Sequence, residues 1–273
     1  MGLLEYSFIQ NALLASLLGG IGCSVIGVFI VTMEIPFLGV SMAHSAFAGA
    51  LFGLVTGIDP FVMALLFCFI SSLLIGPISD KSGFNPDTAI GILFSVMLGL
   101  GFLFLASFTG PKTEALSFIW GSILTVSRTD LALMGTVSLL IAGLVALFFK
   151  EIKAVIFNRE VAASAGIAQK PIYYLILFAC GAVISANLHT IGGLLIFSLV
   201  INPAAAAFQL SYSLRNMFLV SSIFGVVSCF IGLIFSYFYD LPAGAIIIIV
   251  SGIIFFLSLL ASPKNKAGYG VDR

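Results

Sequence analysis

The chain has 273 residues, of which 61% are hydrophobic and only 8% are charged, and its formal net charge is zero. Soluble domains carry about 25% charged residues, so this chain has too little polar surface to cover a water-soluble domain of its size. A balanced charge also provides no strong field to attract nucleic acid. The composition therefore predicts an integral membrane protein.

Apolar runs of about 20 residues recur along the chain, and such a run crosses the hydrocarbon core as a helix because lipid forces every backbone polar group to bond internally. Turns containing proline, such as Asp59-Pro60 and Leu241-Pro242, separate the runs. We predict an all-α polytopic bundle of about nine transmembrane helices that forms a single domain over residues 1–273. The predicted spans are 8–32, 37–57, 60–79, 88–108, 129–150, 171–187, 190–209, 216–238 and 241–261.

The topology depends on segment 115–127 and on the basic residues. The segment is apolar but short for a full crossing, so we predict a re-entrant or interfacial helix there. Lys and Arg favour the cytoplasmic side of a membrane. With the N-terminus outside, nine of the eleven basic residues fall in or beside cytoplasmic loops, and only Lys112 and Arg128 stay outside. We therefore predict an external N-terminus and a cytoplasmic C-terminus.

Both histidines of the chain fall at membrane depth. His44 lies about two turns into the second span, and His189 lies at the junction of the sixth and seventh spans. Ionisable residues inside a membrane are costly and normally face a cavity or each other, and imidazole is a common metal ligand. Both are predicted to face a pathway or a metal, while a neutral histidine bonded to a backbone carbonyl remains the structural alternative. No Asp or Glu lies one turn from His44, so a metal site there needs ligands from other helices.

Small and polar residues in the same spans are candidates to line a pathway. A stripe of small residues with a period of four in the second span permits close helix packing and also suits the wall of a path. A proline inside the seventh span kinks that helix, and broken helices line substrate paths in many transporters, although a packing kink explains it equally well. The candidates are Ser41, Ser45, Asn187, Asn202 and Pro203.

The longest cytoplasmic stretch, 151–170, contains the segment NREVAASAGI at 158–167, which mixes charge with small residues. It is either a solvated loop helix or a docking surface for a cytoplasmic partner. The sequence has no GxxxxGK[ST] motif and no acid–base or nucleophile constellation, so the chain is predicted not to be an enzyme and not to bind ATP in a phosphate loop. The docking candidates are Asn158, Arg159, Glu160, Ala162 and Gly166.

Five segments in order resemble the integral-membrane permeases of zinc/manganese/iron-type ABC importers. They are FLGVSMAHSAFAGA at 37–50, PDTAIGIL at 86–93, WGSILTVSRTDL at 120–131, NREVAASAGI at 158–167 and GGLLIFSLVINPAAAA at 192–207. The resemblance implies a type II-importer-like ABC permease of a prokaryotic cell membrane, working by alternating access as a homodimer. It implies a cytoplasmic ABC ATPase subunit docked on 158–167 and an extracellular or periplasmic substrate-binding protein. No cofactor is expected in this chain, and the cargo implied is a divalent metal ion.

His44 matches the second-span histidine of that family, but two positions depart from its pattern. The family has an Asp four residues before this histidine, where the chain has Val40, and it tends to carry Arg near positions where the chain has Met33 and Glu34. The loss of a carboxylate leaves an ABC permease for a metal chelate or a cobalamin-like ligand as the alternative. A secondary transporter is a further alternative, but no ion-coupling carboxylate is evident at mid-membrane.

Overall fold

The computed structural model describes residues 7–83, 85–121, 123 and 126–266, and these residues form thirteen helices and no strand. Eight of the helices are long and apolar enough to cross a membrane, and α10 adds a shorter apolar stretch at Leu195–Leu210. The predicted all-α bundle of about nine crossings is confirmed. The helices are α1 Ser7–Thr32, α2 Phe37–Thr56, α3 Pro60–Ser82, α4 Pro86–Ser107, α5 Lys112–Trp120, α6 Arg128–Leu147, α7 Phe149–Phe157, α8 Arg159–Ser164, α9 Gln169–Ile191, α10 Gly193–Leu210, α11 Leu214–Tyr239, α12 Ala243–Leu260 and α13 Pro263–Lys266.

The sixth predicted span ends too early. The sequence suggested an end at residue 187, but α9 continues to Ile191 and stops at Gly192, whose φ of 89° suits glycine and few other residues. His189 therefore lies in the last turn of a helix and not in a loop between two spans. Segment 115–127 is shorter as a helix than expected, because α5 ends at Trp120 before Gly121.

The helices at the centre of the bundle pack through small residues. A Cβ added at Gly27 of α1 would overlap the carbonyl group of Val200 in α10, and one at Gly49 of α2 would overlap the carbonyl of Met63 in α3. Close approach of backbones at small residues is how membrane helices gain packing contacts without a hydrophobic driving force. Helices α1, α2 and α9 are consequently mostly buried, whereas α3, α4, α6, α11 and α12 present apolar faces outward.

Alternating crossings give the bundle two ends. Helix α5 lies at one end, where Asn11 near the start of α1 donates to the carbonyl of Val126 over 3.1 Å. Helices α7, α8 and α13 lie at the other end, where the Ser262 hydroxyl donates to the carbonyl of Gln209 over 3.0 Å. We call these the α5 end and the α8 end.

Helix α5 is joined to the bundle by backbone and not only by side chains. Gly121, just after α5, and Gly192, between α9 and α10, have φ values of 67° and 89°. A Cβ on Gly121 would overlap the backbone of Ile191, and a Cβ on Gly192 would overlap the backbone of Trp120. Glycine at both positions thus allows the end of α5 to lie directly against the junction of α9 and α10.

Candidate functional site

His44 of α2 is half-buried, and its Nδ1 lies 3.0 Å from the carbonyl oxygen of Val40. A carbonyl oxygen only accepts, so Nδ1 carries the proton in this bond and the lone pair of the neutral ring is on Nε2. The ring also meets Phe94 of α4 edge-on, with centroids 4.9 Å apart. The backbone bond is the structural alternative raised by the sequence, yet it also orients the imidazole in the way that second partners orient metal-binding histidines.

A cavity of about 190 Å³ lies beside His44, between α2, α4, α5 and the start of α10. We call it the His44 pocket. Its other walls are apolar and include Phe47, Phe102, Phe118 and Gly193. Within this pocket the imidazole is the one titratable side chain, so it is the group available to interact with a cation.

A second cavity, of about 260 Å³, lies at the α5 end, and we call it the mouth pocket. Three carboxylates and a histidine line it: Asp59, Glu114, Asp130 and His189. Nδ1 of His189 is 3.7 Å from Oδ1 of Asp130, and the two side chains are 53% and 24% exposed. An exposed pair of this kind contributes little to stability.

Helix starts position two of the mouth carboxylates. Asp59 precedes α3 and accepts the Val62 N–H over 3.0 Å, and Asp130 forms a capping box with Ser127 at the start of α6. Carboxylates at these places satisfy otherwise unpaired N–H groups and favour the positive end of each helix. Because Asp59 and Asp130 are held in place as helix caps, their negative charges stay at the edge of the mouth pocket.

The described residues contain no group of three or more His, Cys, Asp or Glu side chains placed to hold a metal ion. The mouth carboxylates are thus too dispersed to chelate, but several like charges around a concave surface raise the local concentration of cations. The mouth pocket is suited to collect cations and not to retain them.

Phe118 of α5 lines both pockets and is only 8% exposed. Its ring centroid is 5.6 Å from that of His189 on the mouth side. Helix α2 runs past both cavities, since Ala43, His44 and Phe47 line the His44 pocket and Ala50 and Leu54 line the mouth pocket. The two histidines predicted from the sequence therefore line two neighbouring cavities that share Phe118, and their place on a transport path stays a prediction.

The other five pathway candidates line neither pocket. The Ser45 hydroxyl lies 2.9 Å from that of Ser71, between α2 and α3, and the Asn202 amide donates to Ser251 of α12 over 3.0 Å. Asn187 is fully buried and donates to the carbonyl of Val183 over 2.7 Å. Ser41 is also buried, and Pro203 lies within α10. The placement of these residues on a transport path stays a prediction.

The docking candidates divide into two groups at the α8 end. Asn158 caps α8 by accepting the N–H groups of Glu160 and Val161 over 2.8 and 3.0 Å. The Arg159 guanidinium lies 4.0 Å from the centre of the Tyr173 ring, and Ala162 is only 2% exposed, so both hold α8 against this chain. Glu160 and Gly166 are exposed and available to a partner.

Two exposed apolar residues at this end were not singled out from the sequence, although Val161 lies within the predicted docking segment 158–167. Phe157, at the end of α7, is 84% exposed, and Val161 of α8 is 57% exposed. Both lie in an amphipathic stretch, and the buried partners Ile152 and Val155 give α7 the period of a helix with one packed face. The helical spacing of apolar residues in α7 was the sequence signal that could have placed Phe157 on the exposed face of that helix.

Apolar helices long enough to cross a membrane, with histidine-lined cavities between them and an exposed amphipathic segment at one end, are typical of a polytopic membrane permease. The model of the family described as "ABC 3 transport family" matches residues 5–262. The chain belongs to this family and is a multi-pass permease subunit of a prokaryotic ABC transporter.

Known proteins resemble the chain over almost its whole length. The manganese transport system membrane protein MntC of Listeria monocytogenes is 35% identical over 97% of this chain and 94% of its own. The manganese import system permease protein ScaB of Streptococcus gordonii is 30% identical over 97% and 95%. A solved structure of PsaBC from Streptococcus pneumoniae in complex with Fab superposes with a TM-score of 0.88 at 29% identity, covering 97% of this chain and 95% of that one.

Proposed function

We propose that this chain carries a divalent transition-metal ion, with Mn²⁺ the first candidate, across the membrane as the permease of an ABC importer. The observation that carries the proposal is the His44 imidazole, held at membrane depth in a small pocket that lies behind an acidic mouth. The names of the similar proteins MntC and ScaB support manganese in particular.

One chain supplies few metal ligands at this depth. Val40 cannot ligate, and the His44 pocket has no carboxylate among its lining residues. Divalent first-row metals take four or more ligands, so the remainder come from outside this arrangement. A homodimer that presents a second His44, or water retained by the ion, meets this need.

Energy for transport comes from a separate ATPase subunit, since the sequence has no phosphate-binding loop. The exposed Phe157, Glu160, Val161 and Gly166 at the α8 end form the proposed docking surface. A substrate-binding protein delivers the ion to the mouth pocket. This arrangement places the α5 end outside and the α8 end in the cytoplasm, as the nine-to-two distribution of basic residues also favours.

The alternative cargo, a metal chelate or a cobalamin-like ligand, is favoured by the lack of a carboxylate at Val40. The size of the His44 pocket opposes it, because about 190 Å³ is less than the roughly 300–1,000 Å³ typical of pockets for organic ligands. The bare ion is therefore the preferred cargo.

The test is uptake by the permease reconstituted in vesicles with its ATPase and binding protein. We expect ATP-dependent accumulation of radioactive manganese, and ATPase stimulation by Mn²⁺ that exceeds stimulation by Mg²⁺ or Ca²⁺. Stimulation by a ferric chelate or cobalamin with no response to any free divalent ion would overturn the proposal in favour of the alternative.

A further inference from the structure

We propose that Phe118 is the gate between the mouth pocket and the His44 pocket, so that displacement of its ring opens the route from one histidine to the other. The inference deepens the proposed transport function and rests on it. The Phe118 side chain is itself apolar, so the closure it provides is steric and apolar, although carboxylates line the mouth pocket on one side of it.

The first support is the position of the ring. Phe118 is the aromatic side chain that both cavities share, and it is 8% exposed although it borders two open spaces. An apolar ring that fills the passage excludes water, and a hydrated divalent ion cannot cross an apolar constriction without losing much of its hydration energy. The closed passage is therefore a barrier to ions even though cavities lie on both sides.

The second support is the way that α5 is seated. Ala115, one turn before Phe118, is fully buried, so the same face of α5 carries both residues into the bundle. The carbonyl of Phe118 lies close to Gly193 at the start of α10, where an added Cβ would be 3.7 Å from that oxygen. The backbone of Phe118 is therefore adjacent to the start of α10, the helix that follows α9 and His189.

The third support is the backbone contact between the gate helix α5 and the junction of α9 and α10. The backbone contact between Gly121 and Gly192 joins the end of α5 to the junction of α9 and α10. A shift of that junction therefore moves α5 and its Phe118 ring together with His189. Alternating access requires a coupled displacement of this kind between a helix pair and the seal that it controls.

A thiol placed behind the gate reports its state without requiring transport. We choose Ala43→Cys, because Ala43 lines the His44 pocket and not the mouth pocket. The rate of reaction with a small, charged, membrane-impermeant thiol reagent added to the α5 side is measured in vesicles. The four native cysteines are buried and line neither pocket, so the chain without Ala43→Cys gives the background.

With Phe118 intact we expect slow labelling of the Cys at position 43. Phe118→Ala should accelerate it about tenfold, which corresponds to a barrier lower by about 1.4 kcal/mol. Phe118→Leu, which retains an apolar side chain, should restore much of the slow rate. The control is Phe29→Ala: Phe29 of α1 is also buried but lines neither pocket, so its removal should leave the rate near that of the parent.

Equal labelling rates with Phe118 and with Phe118→Ala would overturn the gate. Equal acceleration by Phe29→Ala would also overturn it, because it would indicate general loosening of the bundle. Monodispersity in detergent and co-purification with the ATPase check that each variant folds. The two proposals are tested by different measurements. Absence of manganese uptake by the parent protein would refute the proposed cargo, whereas the labelling rates alone decide whether Phe118 is a gate.

Discussion

The Nδ1 atom of His44 lies 3.0 Å from the carbonyl oxygen of Val40, one helical turn earlier in α2. The carbonyl of Val40 therefore fixes the tautomer of the His44 imidazole. At the same position the chain has the apolar side chain of Val where the family resemblance led us to expect the carboxylate of an Asp. The Nε2 lone pair of His44 becomes the main feature on which a cargo ion can act.

Replacement of His44 by Ala should reduce manganese uptake by about tenfold or more, the loss typical when a metal site loses a supporting group. Initial rates of uptake in vesicles measure the effect. Ser72→Ala is the control, because the Ser72 hydroxyl bonds the carbonyl of Cys68 within α3 and lines neither pocket. Equal uptake by His44→Ala and the control would return His44 to a structural role.

Restoring a carboxylate by Val40→Asp should lower the manganese concentration at half-maximal uptake several-fold, because a hard anionic oxygen suits Mn²⁺. The same variant should lose stability without metal and regain it with metal, since a half-buried charge at this depth is costly unless it is paired. The thermal midpoint in detergent, with and without Mn²⁺, measures this. Val40→Asn is the uncharged control, and identical behaviour of Asp and Asn would contradict a metal site here.

Removal of one mouth charge by Glu114→Gln should slow uptake about two- to threefold at low ionic strength and have little effect at high salt. The reason is that the mouth carboxylates act at a distance by raising the local cation concentration, and salt screens charges beyond roughly 10 Å at 0.1 M. Glu34→Gln, exposed at the opposite end, is the control. A salt-independent defect in Glu114→Gln would indicate direct ligation in place of steering.

Phe157→Ala should weaken binding of the ATPase by about 1–3 kcal/mol, as exposed aromatic residues that anchor an interface typically do. Co-purification and metal-stimulated ATP hydrolysis measure the loss. Phe238→Ala removes another exposed aromatic side chain, at the α5 end, and should have no effect on either. Loss of binding in both variants would show that the effect is not specific to the α8 end.

Cysteines introduced at Thr109 and Ala165 should react with impermeant reagents from opposite sides of the membrane, Thr109 from outside and Ala165 from the cytoplasm. Both positions are exposed, at the α5 end and the α8 end respectively, and the native cysteines are buried. Labelling of both from the same side would contradict the predicted topology.

The bundle could be predicted from the sequence because lipid imposes a strong rule: an apolar run of sufficient length must be a helix. The end of α9 lies four residues beyond the predicted one, because the chain leaves the helix at Gly192. The glycine pair at 192–193 was the local signal that could have located this end. Ala162 was assigned to the docking surface because it is small and lies in the segment 158–167 that resembles the family's docking segment. These criteria do not distinguish the inner face of α8 from its outer face, and Ala162 lies on the inner face.

The two histidines were singled out from the sequence because ionisable residues at membrane depth are rare, and their role in transport stays a prediction. The mouth pocket was not found, since Asp59, Glu114 and Asp130 are separated by long stretches of sequence and each looks like an ordinary residue at the end of a span. Phe118 was missed for a similar reason. In an apolar segment a phenylalanine that faces lipid and one that closes a passage have the same local pattern, and only the packing of α5 against the bundle distinguishes them.

The contact between Gly121 and Gly192 has a consequence for how this permease can diverge. The C-terminal end of α5 is fixed by main-chain atoms, whereas at its start the Lys112 ammonium donates to the carbonyls of Leu105 and Phe108. Substitution at an exposed position between these two attachments, such as Glu114, can therefore alter the charge presented to arriving ions while Phe118 keeps its place. Adaptation to a different metal supply or a different delivery protein can proceed on this face alone, whereas either glycine can change only if the opposing backbone moves with it.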